Sequence, residues 1–136
     1  MAEYVMKSLV TRAGRTGDFT ITSAAVSYEE EGNSMYPPAR RTLIAHGIPF
    51  GDHRAHRITP DEMAAADMIL VMDRSNLRLL SHAVPAADME KVSLLLSHAG
   101  QDREVGDPWY TGDFETAYRD IFAGCEALLQ ELLAQD

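Results

Sequence analysis

Asp107-Pro108-Trp109-Tyr110 is the segment of this sequence best equipped to do chemistry. A carboxylate beside two aromatic rings can be partly desolvated, which raises its pKa toward the range a general acid needs. The same residues also read as a plain turn, with Asp-Pro initiating it and the rings packed on its rim. The other reactive side chains offer less. Cys125 is the sole cysteine, which excludes an internal disulfide and any multi-cysteine zinc or iron-sulfur site and makes a reducing compartment the default. It falls on an apolar helical stripe, where a thiol packs as a small hydrophobe. His53 and His56 have His-x-x-His spacing, but no third ligand stands at fixed helical spacing from them, so no metal site is expected. Glu29, Glu30 and Glu31, followed by Gly32-Asn33, read as a solvated loop.

The elements that must position these residues follow from periodicity. Ala2, Val5, Met6, Leu9, Val10 and Ala13 recur at helical spacing, with Gly14 placed to close the helix. Phe19, Ile21 and Ser23 alternate with Thr20 and Thr22, so residues 18 to 24 read as a strand. After the turn-rich stretch from Ser27 to Pro38, a helix runs to His46 and stops at Gly47. Thr59-Pro60-Asp61-Glu62 offers a capping box with proline at the first helical position, so a short helix runs to Ala66. The apolar run Met68 to Met72 has the pattern of a strand buried on both faces of a parallel sheet. Asp73 caps a helix through Leu80, Lys91 to Leu96 form another strand, and a long loop from Ser97 to Gly112 leads to Asp113. A final amphipathic helix follows, its stripe being Phe114, Ala117, Tyr118, Ile121, Cys125, Leu128, Leu129 and Leu132. This alternation predicts an α/β fold, a sandwich of helices around a parallel sheet, in one domain over residues 1–136. The opening helix has no strand before it, so the sheet has about three strands or the chain lacks an opening βα unit.

With 136 residues, 46% of them hydrophobic, the chain can bury a real core without staples. Its 12 basic against 21 acidic residues, a formal net charge of −9, argue against nucleic acid or an anionic membrane as partner. The longest apolar run is far below the roughly 20 residues of a membrane span, and no leader pattern opens the chain, so a cytoplasmic location is expected. The seven methionines are scattered, as core fillers are.

Met1-Ala2-Glu3, Ser23-Ala24-Ala25, His46-Gly47-Ile48, His53-Arg54-Ala55, Arg57-Ile58-Thr59, Met72-Asp73-Arg74-Ser75-Asn76-Leu77 and Asp107-Pro108-Trp109-Tyr110 occur in the order and spacing of the low-molecular-weight protein tyrosine phosphatases. The chain resembles that family along essentially its whole length. The resemblance implies a three-layer sandwich whose sheet has four parallel strands. It also implies hydrolysis of a phosphotyrosine protein or a small aryl phosphate through a cysteinyl-phosphate intermediate, with no metal or cofactor. By match to the family, Asp107 is the general acid and later the base, and Trp109 and Tyr110 wall the slot for the substrate ring. Ser23 matches the serine that supports the phosphate loop, and His53 and Glu3 match a histidine–carboxylate pair beneath it. Tyr28, Glu29 and Glu30 fall in the variable loop that tunes substrate preference. Arsenate reductases of this fold need additional thiols, so that class is disfavoured.

The departure from the family is the nucleophile. Its Cys-x5-Arg-Ser-Pro motif, at the junction of the first strand and first helix, lies immediately before the family's Met-Ala-Glu, where this chain begins. Cys125 does not replace it, because the residue six positions later is Glu131, which would repel phosphate. The expectation is a truncated phosphatase domain whose parent is active and which has no turnover of its own. The missing strand would leave an uncovered sheet, making the chain weakly stable or prone to self-association. The alternative is a catalytically dead phosphatase-like binding or regulatory module.

Overall fold

A computed structural model describes residues 1–25, 35–51, 56–83 and 86–135. Helices α1 (Ala2–Arg12), α2 (Pro37–Ala45) and α3 (Pro60–Ala65) precede strand β1 (Ile69–Val71). Helix α4 (Arg74–Ala83), strand β2 (Val92–Leu94), the short helix α5 (Pro108–Thr111) and the long helix α6 (Phe114–Ala134) follow. The helix ends are made by the residues that the sequence marks. Gly14 takes a φ of 71° just beyond α1 and Gly47 a φ of 69° beyond α2, a region open to glycine at little cost. At Thr59 the capping box is complete: the side chain accepts from Glu62 N–H at 3.2 Å, and the Glu62 carboxylate accepts from Thr59 N–H at 3.1 Å.

Strands β1 and β2 pair in parallel, Ile69 with Val92 and Val71 with Leu94. Their alternation divides the interior into two layers. Ile69, Val71, Val92 and Leu94 pack with Met63 of α3 and Leu80 of α4, whereas Leu70 and Met72 turn to the larger core built from α1, α2 and α6. Helices on both faces of a parallel sheet make this an α/β sandwich, as the sequence predicts.

The expected strand over residues 18–24 is not formed. Residues 16–18 make a 3-10 turn, and among the described residues 19–24 join no ladder. The one pairing nearby is a parallel bridge of Ala25 with Arg57, made by Ala25 N–H to His56 O at 2.7 Å and Ile58 N–H to Ala25 O at 2.8 Å. Phe19 and Ile21 still pack against the main core, so the alternation reports burial, while a ladder also needs a neighbouring strand. The strand expected over residues 91–96 ends at Leu94, because Leu95 and Leu96 are both buried. Two successive inward side chains break the period of two, and a 3-10 turn over Leu95–Ala99 accommodates them. The loop expected from Ser97 to Gly112 therefore holds part of that turn and the whole of α5.

Candidate active site

Asp107 stands directly before α5, its carbonyl accepting from Thr111 N–H at 3.3 Å. The segment leading to it is pinned residue by residue. Gln101 N–H bonds Leu96 O at 3.1 Å, and the Arg103 guanidinium forks onto both carboxylate oxygens of Asp120 in α6, at 3.1 and 2.9 Å. Glu104 accepts from Arg74 N–H at 2.6 Å in the first turn of α4, and Arg74 also reaches Asp102 at 2.8 Å. Val105 is buried and its N–H bonds Met72 O at 2.9 Å, attaching the segment to the carboxyl end of β1. That is where open parallel sheets place their ligands. The turn after β1 is itself fixed by reciprocal bonds: Asn76 Oδ1 accepts from Met72 and Asp73 N–H, and Asp73 Oδ1 accepts from Asn76 N–H at 2.7 Å.

Asp107 is solvent-exposed. Trp109 and Tyr110 lie in α5, with their side chains outside the described set. Tyr28, Glu29, Glu30 and His53 lie outside the described residues. Ser23 and Glu3 come together: Ser23 Oγ donates to Glu3 Oε1 at 2.6 Å, while Lys7 Nζ donates to Glu3 Oε2 at 2.6 Å. The Glu3 side chain is only 10% exposed, so these charge-assisted bonds offset its desolvation. In this arrangement the serine is tied to the first turn of α1. Arg103, Glu104 and Asp120 escape a reading of the sequence, because their partners lie 17 and 30 residues away.

Cys125 is 3% exposed among the core side chains of α6, and burial pushes its thiol up to about 12. A thiol so placed stays protonated and is no nucleophile. Among the described residues no three His, Cys, Asp or Glu side chains are grouped to hold a metal ion. No helix among them is long and apolar enough to cross a membrane.

A parallel α/β sandwich with an acid-bearing loop at the carboxyl end of its strands has the design of an α/β enzyme. The chain belongs to the low molecular weight phosphotyrosine protein phosphatase family, a family of hydrolases, which it matches over residues 1–136. It is 36% identical to the human low molecular weight phosphotyrosine protein phosphatase over 137 residues, covering 96% of this chain and 85% of that protein. The crystal structure of YfkJ from Bacillus subtilis superposes with a TM-score of 0.92 at 27% identity, covering 99% of this chain and 86% of the other. A protein tyrosine phosphatase from Entamoeba histolytica, at 22% identity, shares the fold with a TM-score of 0.90 over 98% of this chain and 88% of the other.

Proposed function

We propose that this domain hydrolyses phosphotyrosine, in proteins or as small aryl phosphates, through a cysteinyl-phosphate, with a thiolate loop that residues 1–136 do not contain. In this reading a thiolate forms the S–P bond as the P–O bond to the aryl group breaks, and Asp107 gives its proton to the departing oxygen. The Asp107 carboxylate then takes a proton from the water that attacks phosphorus, releasing phosphate and the thiolate. By the family match, Trp109 and Tyr110 wall the ring slot, Ser23, His53 and Glu3 support the phosphate loop, and Glu29 and Glu30 belong to the variable loop that tunes substrate preference. The reaction draws on no cofactor. A net charge of −9 disfavours nucleic acid as substrate, and dependence on a reduced thiol suits the cytoplasm.

The observation that carries this reading is Asp107-Pro108-Trp109-Tyr110 on a latched loop, in a chain that matches the family from end to end. Nothing but catalysis obviously requires an acid there. Residues 1–136 by themselves have no turnover in this reading, since their one thiol is sealed in the core. Vanadate-sensitive hydrolysis of an aryl phosphate by the repurified 136-residue polypeptide would overturn that statement. The N-terminal peptide of the native protein, read by mass spectrometry from its source cells, tests the rest. A peptide containing Cys-x5-Arg upstream of Met1 supports the phosphatase, and one beginning at Met1 leaves a binding module.

A further inference from the structure

Away from Asp107, three side chains from three elements form a hydrogen-bonded chain. Ser93 Oγ in β2 lies 2.8 Å from His98 Nε2, and His98 Nδ1 lies 2.9 Å from Glu131 Oε2 in α6. The carboxylate accepts only, so in the neutral ring Nδ1 carries the proton and Nε2 presents its lone pair. Ser93 therefore donates its hydroxyl proton to Nε2. Nucleophile, base and orienting carboxylate stand in the order and at the separations that activate a serine.

The position allows access. Among the described residues β2 has a partner strand only on its β1 side, Ser93 is half-buried, and Glu131 is 46% exposed. The imidazole is 12% exposed, dry enough to hold its two bonds. A purely structural tie between β2 and α6 would be met by any donor and acceptor. In the neutral ring the two nitrogens are used in the sense that leaves a base against the hydroxyl.

We propose that Ser93 is a second nucleophile, activated by His98 and Glu131, that takes acyl groups from small activated esters. Ser93 Oγ bonds to the carbonyl carbon as its proton passes to His98 Nε2. The bond from carbon to the leaving oxygen then breaks, and that oxygen receives the proton from His98. Water repeats the sequence, freeing the carboxylic acid and restoring the hydroxyl. Neither Asp107 nor Cys125 takes part, so this site stands or falls independently of the phosphatase reading.

The test is incubation of the 136-residue polypeptide with p-nitrophenyl acetate, followed by intact-mass measurement and peptide mapping. One acetyl group on Ser93 is expected, absent in Ser93→Ala. His98→Gln should slow acetylation by at least about 100-fold, the scale of a general base, and Glu131→Gln should slow it less. Acetyl groups found only on lysines or the N-terminus of the unmodified polypeptide would overturn the proposal, with no variant needed. So would a Ser93 acetylation rate unchanged in a folded His98→Gln variant, with folding checked by circular dichroism.

Discussion

Gly124 sits in mid-helix on the buried face of α6, and a β-carbon built there would lie 2.6 Å from Leu95 Cγ and 3.1 and 3.2 Å from its two methyls. Leu95 is 1% exposed, and the atom struck is the branch point of the side chain, which has nowhere to retreat. Gly124→Ala gains about 1 kcal/mol of helix propensity and loses about 1–3 kcal/mol to overpacking. Contact with Cγ places the loss near the upper end, so the net change is a destabilisation of about 1–2 kcal/mol. With an m-value of about 2 kcal/mol/M, the urea midpoint falls by about 0.5–1 M. Leu95→Ala by itself costs about 2–5 kcal/mol, yet it also removes all three atoms that the new methyl meets. In that background Gly124→Ala becomes neutral or stabilising by up to about 1 kcal/mol. The sign reversal between backgrounds, read from urea unfolding of the four proteins, is the diagnostic. If Gly124→Ala stabilises the unmodified protein, or costs the same in both backgrounds, the packing of α6 on the Leu95 turn is not as described.

Four further substitutions have defined expected outcomes. Burial holds the Cys125 thiol protonated to about 12, while an unfolded thiol ionises near 9.0, so its contribution to stability is complete below pH 9.0 and is lost as pH rises toward 12. Cys125→Ala should flatten that alkaline decline, and the native thiol should resist a disulfide reagent that labels it in denaturant. The Glu62 carboxyl is held below its ordinary 4.5, first by its 2.8 Å bond with His56 and also by Thr59. That contribution is present above pH 4.5 and fades as pH falls through the lowered value, so Glu62→Gln should flatten the acid limb of a stability–pH curve. Thr59→Ala should cost about 1 kcal/mol at neutral pH, as loss of a helix cap does. Arg103→Ala releases the fork on Asp120 and should speed hydrogen exchange at the Val105 amide while leaving α1 unchanged, as measured by NMR. Equal protection at Val105 would show that the fork does not hold the Asp107 segment.

Features whose cause lies within three or four residues were legible along the chain. The Thr59–Glu62 capping box, the Asp73 cap that accepts from Asn76 N–H at 2.7 Å, and the apolar stripe of α6 each stand where local spacing puts them. The family was likewise readable, from motifs ordered along the whole chain.

Tertiary structure decided what depends on a distant partner. Residues 18–24 alternate like a strand, but a ladder exists only if another backbone lies alongside, and a single bridge at Ala25 is what forms among the described residues. Arg103 meets Asp120 across 17 residues, and His98 meets Glu131 across 33. Helix periodicity and capping are short-range and leave a trace in the order of residues. Polar partners brought together by chain reversal leave none, because either residue alone reads as an ordinary surface group.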